Sequence, residues 1–525
     1  MIVEAPSLAR PPQPPPEPMP PLLAIFAWPV VAAILFGKLR KPLAVLVTLL
    51  AGFLLLPERT EIDLPLLPPI DKETVPVLMA LVLGALVAPR PGDSPVLPGY
   101  LPDSWIAKLL LLMLLVGAFA TTMTNGDALW YGAFGIPGLR SYDAFSAILS
   151  SVIALLPALL ARKYLSGPDG HRLILVVLSV AALGYSLLAL IEVRLSPQMN
   201  NWVYGFFPHS WLQHVRSGGF RPLVFVSHGL VLAIFFCMAI LAATGLWRID
   251  RSRSTTWLLA AGWLLMTLLL SNSLGALVIA FLMVPVVAFL SVRAQILAAA
   301  AVAVTFLTYP VLRGADLVPV DRIASAASRI SEERAGSLQY RFDNEDILLE
   351  KASDRPIFGW GGWGRSRVYD EETGRDISVT DGYWVIVIGT GGWVGYIAEF
   401  GLLGVPILLL LRRSRQLEVG RETAILSVIL AANLIDLLPN SSTMPLTWIV
   451  AGALWGRLEH APEVAADAGR EEAAAGPAAR PGYRRPGLVR SPDPAPRPAV
   501  ASDRPATAYT RQNVRIVRPG SALRR

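Results

Sequence analysis

Cysteine occurs once in the 525 residues, at Cys237, inside an apolar run. That count excludes a disulfide framework and a thiolate zinc site. Histidine is nearly as scarce, with five residues and no zinc-ligand spacing among them or the neighbouring acids; the sequence implies neither a metal nor a cofactor. Charge is short as well. Only 16% of the chain is charged and 54% is hydrophobic, with a mean hydropathy of +0.51, whereas soluble domains carry about 25% charged residues. The composition is that of a polytopic membrane protein. Residues 1–20 lack the basic region, apolar core and small-residue cleavage site of a signal peptide, and their prolines read as an uncleaved flexible leader. A phosphate-binding P-loop is missing too, because no Lys-Ser/Thr follows the glycine run Gly359–Gly364.

The charge that is present is unevenly placed. The net +7 lies almost entirely beyond residue 460, where residues 461–525 hold 12 Arg against 6 Asp plus Glu. An Ala/Pro/Arg-rich stretch without apolar periodicity cannot bury a core. Residues 458–525 therefore read as a disordered cytoplasmic tail that touches anionic lipid, and no nucleic-acid partner is expected.

A membrane-crossing helix needs about 20 mostly apolar residues. Thirteen stretches qualify or nearly so, near 21–37, 42–56, 75–89, 105–123, 144–161, 173–192, 222–247, 257–271, 274–291, 296–312, 384–411, 422–438 and 443–457. The expected fold is an all-α polytopic bundle of 12 to 13 transmembrane helices over residues 21–457. Short loops rich in Lys and Arg stay cytoplasmic. Lys38–Lys41, Arg162 with Lys163 and Arg172, Arg248–Arg253, Arg293 and Arg412–Arg415 fall on alternate connections, with the tail. The loops near 57–74, 121–143, 193–221 and 313–383 then share the outer side.

The last of these loops is too long to be a mere connection; with the helix that follows, residues 334–404 form the main polar, glycine-punctuated stretch. Arg334 and Arg341 stand seven apart, so on a helix they share a face and suit a diphosphate clamp; a solvated amphipathic helix accounts for them equally well. Trp360 and Trp363 offer aromatic faces for sugar rings or a membrane interface. Asp381 and Tyr383 lead into the next membrane helix. There Gly391, Gly392 and Gly395 read as a close-packing stripe, and Glu399 is a buried carboxylate that needs a partner. In the loop near 193–221, Arg216 and Arg221 bracket Ser217-Gly218-Gly219, and Pro222 suits the first turn of a helix. A helix beginning there would put Arg221 and His228 on one face; His228 also suits a satisfied core histidine. Ser271-Asn272-Ser273-Leu274-Gly275 reads as a tight helix junction.

Taken together, Arg216-Ser-Gly-Gly-Phe-Arg221-Pro222, Ser271–Gly275, Arg334-Ala-Gly-Ser337 with Arg341, Pro356-Ile-Phe-Gly359-Trp-Gly361, Asp381-Gly-Tyr383, Gly392-Trp-Val-Gly395 and Glu399–Gly404 resemble the O-antigen ligase and polymerase family of bacterial inner-membrane proteins, over roughly residues 170–457. The resemblance implies a multi-pass protein whose active face is periplasmic. It also implies a metal-independent glycosyltransferase acting on a polyprenyl-pyrophosphate-linked glycan, with membrane lipids and other polysaccharide-assembly proteins as partners. The ligase branch has a histidine near the end of the large loop; here Asp381 stands there, and no histidine lies between His228 and His460. That departure favours a polymerase of exopolysaccharide or O-antigen repeats over a ligase to lipid A core. Under this resemblance Arg334, Arg341 and Asp381 are the catalytic candidates, and Arg216, Arg221, His228, Trp360, Trp363, Tyr383 and Glu399 the substrate-binding ones. A transporter of the same lipid-linked sugars is the alternative of another class, and a non-catalytic chain-length subunit a third.

Overall fold

The computed structural model describes residues 20–474, apart from 64–67, 91–92, 94–95, 217–218, 330–331 and 442. The leader, but for Pro20, and the tail beyond residue 474 lie outside these described residues. Residues through Ala468 form one compact unit; of the unit that follows, only the helical residues 469–474 are described.

Each of the thirteen apolar stretches contains a helix. These helices are α1 (Pro21–Lys38), α2 (Lys41–Leu55), α3 (Thr74–Leu86), α4 (Trp105–Thr124), α5 (Ser141–Tyr164), α6 (Pro168–Leu195), α8 (Gly229–Ile249), α9 (Ser254–Leu270), α10 (Leu274–Phe289), α11 (Val292–Gly314), α14 (Tyr383–Arg413), α15 (Arg421–Asp436) and α16 (Pro445–Ala474). Between them lie the short α7 (Met199–Tyr204), α12 (Val320–Ser328) and α13 (Glu332–Ser353). Strand structure among the described residues amounts to two small antiparallel hairpins, β1 (Leu129–Tyr131) with β2 (Phe134–Ile136), and β3 (Val215–Arg216) with β4 (Gly219–Phe220), besides isolated bridges. Among the described residues, eight helices are long and apolar enough to cross a membrane, while α2, α3 and α10 are shorter apolar helices. The chain is an all-α polytopic membrane protein. Its last helix runs on to Ala474, so helix extends into the stretch assigned from composition to the tail.

The centre of the bundle is α8, apolar on every side, as a helix surrounded by helices must be. It packs against α6, α9, α10 and α15, and small residues allow the approach: a side chain at Gly245 would meet Ile425 at 2.6 Å. Polar contacts sort the connections into two groups. The short connections rich in Lys and Arg join one another. Arg162 pairs with Glu459 at 2.5 Å, Arg172 with Asp250 at 3.3 Å, and Arg248 donates to the carbonyls of Val287 and Leu290 at 2.8 Å. The other connections form the second group: Lys72 donates to the Phe225 carbonyl at 2.9 Å, Arg355 pairs with Asp127 at 2.8 Å, and Arg313 with Asp346 at 2.6 Å.

Two local features depart from the sequence reading. First, α8 begins at Gly229, not at Pro222, so Arg221 and His228 share no helical face. Val224 stands at φ +56, which a β-branched residue rarely adopts and which no helix can contain. The buried Glu192 carboxylate holds the turn by accepting the amides of Leu223 at 2.8 Å, Val224 at 2.7 Å and Met199 at 2.8 Å. Second, Gly392 is no part of a smooth packing stripe but a break in α14, with φ +62 and ψ −163. The loop from Pro356 to Gly361 fills the break. Gly389 and Thr390 carbonyls accept from Trp360 and Gly361 amides at 2.8 and 2.9 Å, and Trp393 and Val394 amides donate to Pro356 and Ile357 carbonyls at 2.8 and 3.1 Å. Two lost helix rungs are thus replaced by four bonds to the loop. Such irregular backbone survives inside a membrane protein only when its polar groups are satisfied this way. Contact is close enough that a side chain at Gly392 would meet the Ile357 carbonyl at 2.4 Å, and one at Gly359 the Gly392 amide at 2.6 Å.

Candidate functional site

Among the second group of connections, four loops and the start of α8 line a cavity of about 480 Å³. Its polar lining comes from Arg59 after α2, His209 and Gln213 after α7, Ser227 and His228 before α8, Arg367, Ser378 and Asp381 before α14, and Asn440 with Ser441 after α15. These residues are far apart in the chain, and the bundle alone brings them together.

Asp381 is the anchored acid of this cavity. Arg341, projecting from α13, meets it with Nε 3.2 Å from Oδ2, both side chains partly exposed. Each is held by its own scaffold. The chain before Asp381 is tied to α13 where the Val379 amide donates to Asn344 Oδ1 at 2.7 Å, and the chain after it where the Tyr383 amide donates to the Leu437 carbonyl at 3.1 Å. The α13 helix is fixed to α11 and α14 by buried Arg313, Glu345 and Trp384 with the exposed Asp346: Arg313 lies 3.7 Å from Glu345 and 2.6 Å from Asp346, and Trp384 Nε1 donates to Glu345 at 3.4 Å. Burial pushes the Glu345 carboxyl up to about 7, with Arg313 pulling the other way.

Two more arginines belong to the cavity that the sequence did not single out. Arg59 sits at φ +51 in the turn after α2. Arg367 is paired with Asp376 at 2.5 Å; burial works to raise the Asp376 carboxyl, but the bonds from Arg367 and Ser378 outweigh it and hold it below the ordinary range.

Of the arginines expected here, Arg221 lies against the start of α8. Its stem covers Gly229, where a side chain would meet it at 2.4 Å, and its Nη2 donates to the Asn272 carbonyl at 3.3 Å. The Ser271–Gly275 junction therefore helps to orient Arg221, with Asn272 at φ +53. Arg216 is on β3, and Arg334 is in the first turns of α13, the helix that also carries Arg341.

The remaining candidates lie elsewhere. Trp360 cannot stack on a sugar as it stands. Its ring is buried under Lys351 and Arg355, 3.8 and 4.3 Å from the centroid, and its indole donates to the Lys351 carbonyl at 2.7 Å. The neighbouring Arg365, fully buried, donates to the carbonyls of Asp127 and Pro137 at 3.0 Å and fastens the same loop. Trp363 is exposed and lines a separate cavity of about 200 Å³ with Gly391, Gly395 and Glu399. Glu399 finds its partner in the Tyr383 hydroxyl, which donates to it, rather than in an arginine. That pair also borders a third cavity of about 250 Å³ beside Asp71, Glu73 and Thr443.

Three histidines meet at the wall of the first cavity. Rings of His209, His214 and His228 have centroids 4.8 to 5.5 Å apart, and one nitrogen from each lies within 4.8 Å of the others. His228 Nδ1 accepts the Leu230 amide at 3.1 Å and so caps α8, while His214 Nδ1 bonds the Ser210 carbonyl at 3.1 Å. Burial, and after it the Arg59 charge, lower the His209 pKa against the pull of a bond to the Ser210 backbone. Sequence spacing found no such set, because the third member is supplied by the strained turn before α8. It is the one group among the described residues with His or Cys ligands able to hold a metal ion.

Residues 259–400 match the family model described as O-antigen ligase. No curated protein matches the chain. The matched segment begins in α9 and ends in α14, so it contains Arg341, Arg367, Asp381 and the broken helix, while His228 and the loop before it lie outside. Through that segment the chain is similar to the O-antigen ligase family.

Proposed function

We propose that the protein is a glycosyltransferase that joins polyprenyl-pyrophosphate-linked oligosaccharide repeats on the periplasmic face of a bacterial inner membrane. The observation that carries this reading is the ion pair of Arg341 and Asp381 at the edge of a cavity that also holds Arg59, Arg367 and His228. In the reaction, the bond between the donor sugar's anomeric carbon and pyrophosphate breaks. An acceptor hydroxyl forms the new glycosidic bond and its proton passes to a base, while the carrier pyrophosphate leaves with the electron pair. Cations at a water-poor interface stabilise that leaving charge. In the unliganded protein Arg341 is parked on Asp381; an arriving pyrophosphate competes for the guanidinium and frees the carboxylate to orient or deprotonate the acceptor. Arg334, Arg216 and Arg221 are further pyrophosphate candidates. Sidedness rests on the short Lys/Arg-rich connections being cytoplasmic, which leaves the cavity outside.

The second reading is a ligase that moves the finished glycan to lipid A core, favoured by the description of the matching family. The carboxylate of Asp381 where ligases carry histidine favours the polymerase. Glycan analysis of a strain lacking the protein separates them. Single repeats left on the carrier support polymerisation, long carrier-linked polymer supports ligation, and repeats held on the cytoplasmic face contradict both in favour of transport.

A further inference from the structure

We propose that His209, His214 and His228 form a binding site for one borderline transition-metal ion of the zinc class, with an open coordination position facing the cavity. Three imidazoles from separate turns of one loop and the cap of α8 converge until one nitrogen of each lies within 4.8 Å of the others. Metal–imidazole bonds of about 2.0–2.1 Å set tetrahedral ligands about 3.3 Å apart, so uptake draws the three nitrogens together by up to about 1.5 Å, a shift carried by the loop residues.

The surroundings suit ligation in three ways. His214 is fully buried and bonds the Ser210 carbonyl through Nδ1; a backbone acceptor on one nitrogen is the arrangement that fixes the tautomer of metal-ligating histidines and presents the other nitrogen to the ion. His209 packs against the other two rings, with centroids 5.5 Å from His214 and 4.8 Å from His228, and so brings a second cavity-side imidazole to the set. His228 and His209 both line the cavity whereas His214 stands behind them, so a three-nitrogen set leaves its fourth position open to the cavity, as catalytic zinc sites do. Imidazole donors without a carboxylate select zinc, nickel or copper over magnesium or calcium.

His228 adds a mechanical consequence. Its Nδ1 accepts the Leu230 amide. Ligation through Nε2 puts the proton on Nδ1, so metal uptake replaces the cap of α8 with coordination and couples the ion to the turn carrying Val224. Three neutral ligands leave the ion's double charge uncompensated, which fits it to take a phosphate oxygen from the donor, a role that departs from the metal independence implied by the family resemblance. That role rests on the transferase reading; the binding itself does not.

The test uses the full chain in detergent, with any affinity tag removed and metal stripped by chelator. Zinc is titrated against a competing chromophoric chelator, and cobalt is added separately for its visible bands. We expect one zinc per chain, tetrahedral-type cobalt bands, and zinc affinity weakened by more than about 100-fold in His214→Ala and in His209→Ala, beyond what loss of an outer-shell contact causes. His209 faces the cavity, so its variant remains informative should the buried His214→Ala fail to fold. Absence of stoichiometric zinc in the wild type, or equal affinity in His209→Ala, overturns the site and leaves the three rings as an edge-packed aromatic cluster. Neither outcome depends on transferase activity.

Discussion

Arg341 and Asp381 are ordinary residues until the fold sets them 3.2 Å apart. Loss of Arg341 to Ala should lower transfer by about 100- to 1,000-fold, the usual effect of removing one group aimed at developing charge, while leaving the amount of protein in the membrane unchanged. Polymer from cells carrying the variant in place of the native copy measures it. Asp381→Asn keeps shape and removes the base; a drop of about 100-fold or more is expected if the carboxylate takes the proton, and unchanged yield and chain length would remove it from the chemistry. Glu345 makes a separate prediction. Its folded value of about 7 lies above the 4.5 of a free glutamate, so between these values the folded protein keeps a proton that the unfolded chain has lost. Stability from this group therefore declines as pH rises from about 4.5 to about 7, then levels off. Melting curves across that window should show a decline in the wild type that Glu345→Gln removes. At this scale the sequence singled out Arg341 and Asp381, because a polar stretch inside an apolar chain is conspicuous, and the fold pairs them. The sequence was silent on Arg59, Arg367 and the histidine set, because their meaning comes from long-range contact and not from spacing.

Elements were more legible than residues. Each apolar stretch contains a helix because lipid or surrounding helices leave the backbone no other way to satisfy its polar groups. Boundaries failed where local chemistry overrode hydropathy. The apolar run Leu223–Val226 looks helical, but the Glu192 carboxylate holds its amides in a turn. The break in α14 was equally hidden, since its glycines read as a packing stripe and only the docked Pro356–Gly361 loop explains them. Gly392→Ala should therefore be far more harmful than Gly391→Ala, which meets nothing within 4 Å. The backbone strain alone costs about 1–3 kcal/mol, and the clash with Ile357 adds to it. Detergent-solubilised protein should show a lower melting temperature and reduced yield for Gly392→Ala, with Gly391→Ala close to wild type.

For the whole molecule, the division of connections by charge is the feature with the widest consequence. The short Lys/Arg-rich connections contact one another, and the cavity lies among the other loops, so sidedness decides which compartment supplies the substrate. With the lone buried Cys237 replaced by serine, a cysteine introduced by Thr373→Cys should react with a membrane-impermeant maleimide from the periplasm, and one introduced by Ser252→Cys only after the inner membrane is opened. The account as a whole stands or falls on transfer itself. Purified protein in liposomes, given a carrier-linked oligosaccharide repeat, should release polyprenyl pyrophosphate and yield carrier-linked chains longer than one repeat, and Asp381→Asn should do so at a small fraction of the rate. Release and elongation at equal rates by wild type and Asp381→Asn, or intact single repeats after incubation with active-folded wild type, would contradict it.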